Sequence, residues 1–204
     1  TGPFEVGAFA NVFNPDGRTD AQFYLGGYNF ALSDDNHPVP LANIDHKPGL
    51  TIYGQLLRLT SEGSVRVRGS QAAQRPEIVP NWLSTEADQK AAVASVHFMR
   101  RLLAQPALAP LIDHEMLPGS ECQSDEDILT AFRKLSTCGT HATRSCRMGS
   151  DERAPLDVRL RVRGVDGVRV VDCSAMPGWV TGNTNAPAMA LGWRAAQLIL
   201  EDRP

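Results

Sequence analysis

Two apolar runs decide the reading of this sequence, Val168-Arg169-Val170-Val171-Asp172 and the stretch from Ala188 to Leu200. The first reads as a strand that ends in an acid. The second is apolar on nearly every side and reads as a helix buried on most of its faces. Between them stands Gly182-Asn183-Thr184-Asn185-Ala186-Pro187. Pro187 suits the first turn of the helix, where no N–H is needed, and Asn185 or Ala186 its cap. A cap needs only one polar side chain. A second Asn and a Thr beside the open N–H groups of a helix start also suit an anionic or electron-rich ligand. Asp172 leaves two readings open. It can hydrogen-bond a ribose or ribitol hydroxyl, as in nucleotide-binding sheets, or it can cap a turn.

Further upstream, Leu160-Arg161-Val162-Arg163 alternates like a strand, and Gly164-Val165-Asp166-Gly167 turns. Before it lies Cys138-Gly139-Thr140-His141-Ala142-Thr143-Arg144-Ser145-Cys146-Arg147-Met148-Gly149. Here His141 is flanked by small and hydroxyl residues, as in a loop that passes close to something. The other histidines are His37, His46, His97 and His114. His37 reads as a solvated loop residue, His97 as the flank of a helix, and His114 as an exposed or paired residue between two acids. No two histidines have H-x-x-x-H spacing, and no Cys/His set has finger spacing, so no metal is expected. Cys122, Cys138, Cys146 and Cys173 show no C-x-x-C pair and read as free, mostly buried thiols.

The first third reads as strands. Phe4 to Phe13 is apolar and breaks at Asn14-Pro15-Asp16-Gly17; Gln22 to Leu25 resumes; residues 33 to 48 form a polar, Pro-rich loop. Leu50 to Leu59 is a strong strand, and the spacing predicts that it pairs with Val65-Arg66-Val67-Arg68 as a hairpin across Ser61-Glu62-Gly63-Ser64. The middle turns helical. Thr85 and Asp88 have the spacing of a capping box, and Ala92, Val96, Met99 and Leu103 share one helix face before Pro106. A second helix starts at Ser124-Asp125-Glu126-Asp127 and carries Ile128, Leu129 and Phe132.

With 204 residues, 42% of them apolar and 21% charged, the chain is long enough for a real core and is neither disordered nor collagen-like. Its 20 basic and 23 acidic residues give no electrostatic footprint for nucleic acid. No apolar run is long enough to span a membrane. Free cysteines and the lack of a visible signal favour the cytoplasm. G-x-G-x-x-G, G-x-x-x-x-G-K-[ST] and G-x-S-x-G are all absent, so no dinucleotide loop, phosphate loop or hydrolase elbow is encoded.

Three of these stretches together resemble the glucose–methanol–choline (GMC) family of flavin oxidoreductases. His141 to Gly149 stands where the family has H-P-x-G-T-C-R-M-G. Leu160 to Pro177 follows the family's L-R-V-x-G-V-x-G-L-R-V-V-D-A-S-x-M-P. Gly182 to Pro187 is the family's G-N-T-N-A-P. Ser61 to Val67, Pro80-Asn81-Trp82-Leu83 and Leu117-Pro118-Gly119 look like further landmarks. The resemblance covers the whole chain but only the C-terminal portion of a family member, and Thr1-Gly2-Pro3 looks like a start inside the family sequence.

The resemblance implies an α+β fold. Residues 1–135 would form an antiparallel-sheet substrate domain with helices. Residues 136–204 would return into the FAD-binding α/β domain with its C-terminal strand and helix. The implied cofactor is FAD. The implied partners are a small-molecule alcohol and a second polypeptide or the missing N-terminal FAD-binding half. His141 looks like the catalytic base that orients hydride transfer to flavin N5, and Asn183 like the second catalytic position. Asp172 and the backbone of Cys173 look like contacts to the ribitol-pyrophosphate of the flavin. Asn183, Thr184, Asn185 and Ala186 look like the wall beside its pyrimidine ring. The implied reaction is oxidation of a primary or secondary alcohol, by an oxidase or a dehydrogenase. A hydroxynitrile-lyase-like enzyme on the same scaffold and a cofactor-free fragment remain the alternatives. Three positions depart from the pattern. Ala142 replaces the family Pro, Cys173 the family Ala, and Arg144 the family Gly, so the Arg144 loop bends differently or its guanidinium reaches solvent or an acid. Trp179 reads as packing or as part of the pocket lining.

Overall fold

Strand β1 (Val6–Ala10) pairs antiparallel with β2 (Ala21–Gly26), which pairs antiparallel with β3 (Thr51–Leu56), in a meander of order β1-β2-β3. The computed structural model describes residues 4–13, 17–30 and 44–202. His37 and Asn14 to Asp16 lie outside the described residues. The register sets Phe23 opposite Gly54. A Cβ at Gly54 would stand 3.2 Å from the Phe23 ring, so the small residue lets that ring lie over the sheet. Phe23 is buried and stacks on Phe98 with ring centroids 4.9 Å apart.

Phe98 belongs to helix α1 (Glu86–Leu103), which starts where the sequence predicts. Thr85 is the N-cap, and its side chain accepts from the Asp88 N–H. Asp88 does not complete a capping box. Its carboxylate accepts from the N–H groups of Thr60 and Ser61, at 2.8 Å each, and from the Thr60 hydroxyl. Ala92, Val93 and Val96 are buried on the inward face, and Val93 and Val96 pack with Ile128 of helix α2 (Asp125–Leu135). Ser124 caps α2 by accepting from the Asp127 N–H. Three acids in its first turn face the positive end of the helix dipole.

The expected hairpin between Leu50–Leu59 and Val65–Arg68 does not form. β3 is already paired with β2, and β4 (Ser64–Arg66) pairs instead with β5 (Glu77–Val79). The turn residue Gly63 has another reason to be small, because a Cβ there would meet the Val79 carbonyl oxygen at 2.3 Å. This hairpin belongs to a different compact unit from the meander. One unit comprises 1–61 and 83–137, the other 62–82 and 138–204. The single division at 135/136 expected from the sequence does not separate 62–82 from the residues before it.

In the second unit, Leu156, Leu160, Ala175, Ala195 and Leu198 form the core. Cys146, Met148, Val162, Val170 and Leu191 pack on it. The expected strands at Leu160–Arg163 and Val168–Asp172 are not regular strands; the pairings there are isolated bridges, Leu156 with Val162 and Arg161 with Arg169. Leu160 at φ 66° and Gly164 and Gly167 at 78° and 76° turn the chain too often for a ladder to propagate. The Val162 N–H still reaches the Val168 carbonyl at 3.0 Å, and that of Val170 the Leu160 carbonyl at 3.2 Å.

Helix α3 (Asn185–Glu201) closes this core with Leu191, Ala195 and Leu198, spaced for one face. It is not buried on most sides, as its composition predicts. Met189, Trp193 and Leu200 are 69%, 75% and 60% exposed. Arginines hold its C-terminal end. Arg159 donates to Asp202 at 2.7 Å, to Glu201 at 3.1 Å and to the Leu198 carbonyl at 3.3 Å, while Arg169 also pairs with Asp202. Cations at the carbonyl end of a helix oppose its dipole favourably. Among the described residues, no helix is long and apolar enough to cross a membrane.

Candidate active site

The loop that carries His141 is shaped by two left-handed residues, Thr140 at φ 59° and Arg144 at φ 72°. This conformation is costly for a side chain with a Cβ, most of all for β-branched Thr140. After the loop, the chain is tied to the segment following Asp172. The Cys146 N–H donates to the Ser174 carbonyl at 3.0 Å and the Met148 N–H to that of Ala175 at 2.9 Å. Arg147 forks onto Asp151 through two 2.7 Å bonds and holds its carboxyl below the usual carboxylate range. Arg144 is half-buried and pairs with Glu62 at 3.3 Å, so the guanidinium does reach an acid.

His141 then meets the start of α3. Its Nε2 lies 2.9 Å from Asn183 Nδ2, and its Nδ1 lies 2.8 Å from the Thr184 hydroxyl. The Thr184 N–H also points at Nδ1, from 3.4 Å. Asn183 is exposed and Thr184 is buried. Thr184 is the N-cap of α3, yet its side chain makes no capping bond. Asn185 and Ala186, exposed in the first turn, therefore receive no side-chain cap from it, and Pro187 has no N–H to offer.

Asp172 takes the turn-capping arrangement. It is the N-cap of a short 3-10 turn, Cys173–Ala175, and its Oδ1 accepts from the Ser174 N–H at 2.7 Å and hydroxyl at 2.5 Å. Cys173 is half-buried in that turn. Thus His141, Asn183 and Thr184 meet side chain to side chain, Asn185 and Ala186 follow them on the helix start, and Asp172 and Cys173 sit on the neighbouring turn. Trp179 helps line an apolar cavity of about 460 Å³, with Met176, Pro177, Val180, Pro187 and Leu191 among its walls. Nothing in the sequence singles out Glu62 as the partner of Arg144. A lone acid next to a glycine carries no signal until the hairpin brings it back.

The arrangement can hold a hydroxyl-bearing molecule at an imidazole and an amide, beside a helix start that favours negative charge. The GMC oxidoreductase family model matches residues 60–192. The chain belongs to the GMC oxidoreductase family. It is 33% identical to choline oxidase of Arthrobacter globiformis, over 98% of this chain and 37% of that protein. It is 36% identical to mitochondrial choline dehydrogenase of Mus musculus, over 94% of this chain and 35% of that protein. This GMC chain therefore spans little more than a third of the length of these curated relatives. Among solved structures, pyridoxine 4-oxidase from Mesorbium loti superposes with a TM-score of 0.83 at 23% identity, covering 99% of this chain and 39% of that one. Formate oxidase of Aspergillus oryzae RIB40 superposes at 0.77 and 19% identity, covering 95% and 33%. These likenesses bear on the fold, which is mixed α and β with small antiparallel sheets and three helices of eight residues or more among the described residues.

Proposed function

We propose that this chain is the C-terminal portion of an FAD-dependent oxidoreductase that oxidises a primary or secondary alcohol. The observation that carries the reading is the 2.9 Å contact between His141 Nε2 and Asn183 Nδ2 at the uncapped start of α3. An alcohol entering between the two side chains donates its O–H to the Nε2 lone pair. Its oxygen accepts from the Asn183 amide, which holds it without competing for the proton. His141 thus takes the hydroxyl proton as the C–H bond opens. An imidazole suits that task because its ordinary pKa lies close to working pH.

The residues at hand fit a flavin edge. The N–H groups of Asn185 and Ala186, with Asn183 beside them, form a donor set for an electron-rich ring that gains negative charge on reduction. The helix start favours such charge by about 0.3–2 kcal/mol. Asp172 and Cys173 would reach the ribitol side. Bound FAD supplies the acceptor for the two electrons and the hydrogen that leave the carbinol carbon. The pyrophosphate and adenosine contacts would come from the rest of a complete family member, in the same polypeptide or a second one. Two curated relatives are named for choline, so choline is the first alcohol to test.

The test is anaerobic bleaching of the flavin by an alcohol in the complete protein. His141→Ala is expected to keep its flavin and to slow bleaching by about 10²–10⁴-fold, the usual size of general-base catalysis. A rate within about threefold of the parent refutes the role of His141.

A further inference from the structure

We infer that Thr184 is a positioning residue for His141, setting which ring nitrogen carries the proton; the inference rests on the alcohol-oxidation reading above. Asn183 presents an amide nitrogen to Nε2 at 2.9 Å, and an amide NH2 only donates. Nε2 must then offer a lone pair, so the ring proton sits on Nδ1. The Thr184 hydroxyl, 2.8 Å from Nδ1, accepts it. The Thr184 N–H also points at Nδ1 but from 3.4 Å, at the margin of hydrogen bonding. The short contacts outweigh this long one.

Thr184 is placed for this role at the expense of its ordinary one. A threonine at an N-cap normally turns its hydroxyl onto the N–H groups of the first turn. Here the cap bond is absent, Thr184 is 8% exposed, and its hydroxyl lies 2.8 Å from the ring nitrogen. The consequence is chemical. With the proton fixed on Nδ1, the bare Nε2 faces Asn183 and the place an alcohol would take. With the proton on Nε2, the histidine would face the alcohol with a donor and could not accept its proton. The second contact of a functional histidine commonly sets its tautomer, and losing such a contact typically costs about 10–100-fold in activity. This role differs from that of flavin wall, which the family resemblance implies for Thr184. The hydroxyl faces the histidine ring instead.

The experiment compares Thr184→Val with Thr184→Ser in the complete flavin-loaded protein. Valine keeps the shape and removes the hydroxyl; serine restores it. Thr184→Val is expected to retain flavin, to reduce it about 10–100-fold more slowly in single turnover, and to leave half-saturation by the alcohol nearly unchanged. Thr184→Ser should recover most of the rate. A second readout needs no turnover. The ¹⁵N shifts of the His141 ring should report protonated Nδ1 and bare Nε2 in the parent and in Thr184→Ser, and a mixture of tautomers in Thr184→Val. Parent-like flavin reduction in Thr184→Val, or an unchanged tautomer in that variant, overturns the inference. If His141→Ala reduces flavin normally, the alcohol-oxidation reading fails instead. If His141 is required and Thr184→Val is silent, only the role of Thr184 falls.

Discussion

Arg144 takes a left-handed backbone conformation, φ 72°, and from there its guanidinium pairs with Glu62 at 3.3 Å. The family pattern has Gly at this position, the residue that enters this region without a steric cost. Arg144 therefore combines a backbone cost of about 1–2 kcal/mol with a partly exposed ion pair worth about 0–1 kcal/mol. Arg144→Gly is expected to be at least as stable as the parent. Arg144→Ala keeps the backbone cost, loses the pair, and should be about 1 kcal/mol less stable than Arg144→Gly. Denaturant titration of the three proteins checks the order, and a glycine variant less stable than the alanine one contradicts it.

Asp88 should be the most sensitive acid of the first unit. The residue is 1% exposed. Burial pushes its pKa up, but hydrogen bonds from Ser61 and Thr60 outweigh that and leave it below the ordinary value. Asp88→Asn replaces a charged acceptor of several N–H and O–H bonds with a weaker one, and should cost about 1.5–3 kcal/mol. A folded-state pKa below the unfolded one gives stability that is present above the unfolded value of 3.8 and is lost as pH falls through the folded value. The parent should thus lose stability below about pH 4 more steeply than Asp88→Asn. Parallel acid profiles for the two proteins would remove Asp88 from this account.

Asp202 gathers Arg159 and Arg169 at the end of α3. The hydrogen bond from Arg159 holds its carboxyl below the usual range. The sign is the same as for Asp88, so this contribution is present near neutral pH and fades in acid. Asp202→Asn should loosen the last turn of α3 and speed amide exchange there, with little change at Ala195. Exchange that is unaltered at Leu198 to Glu201 speaks against the clamp.

Asn183→Leu, in the complete protein, should weaken alcohol binding and slow flavin reduction together, because the lost amide would hold the reacting oxygen. A decrease of about 10²-fold in the second-order rate of reduction is expected, the scale of one well-placed donor to a reacting oxygen. Stopped-flow reduction over a range of alcohol concentrations measures it, and an unchanged second-order rate excludes the contact.

Local signals told most of what the structure contains. Helices α1 and α2 start at Thr85 and Ser124, as the sequence predicts, although Asp88 does not close a capping box, and Ala92, Val96 and Ile128 are buried. His141 and Asn183 could be named because they stand in motifs, yet their contact spans 42 positions and no period in the chain announces it. The misread hairpin has the same origin. Val65 alternates with Arg66 and Arg68 whichever strand it joins, and strand choice was decided by β2, which offers β3 six paired positions. The composition of α3 misled in another way. Hydrophobicity on every face says that burial is favourable, not which neighbour supplies it. Within the described chain only Ala195 and Leu198 on that helix are buried.

The interleaving of the two units bears on how the chain comes apart. The backbone passes between them at 61/62, at 82/83 and again at 137/138. Neither unit is a single segment, so cutting once at 137/138 releases neither intact. A piece beginning at Cys138 would lack the β4–β5 hairpin, and with it Glu62, the ion-pair partner of the Arg144 loop. During synthesis the hairpin emerges long before the residues it joins and must wait for them. The second unit would therefore acquire its native contacts late, whereas the meander pairs strands close together in sequence and can form early.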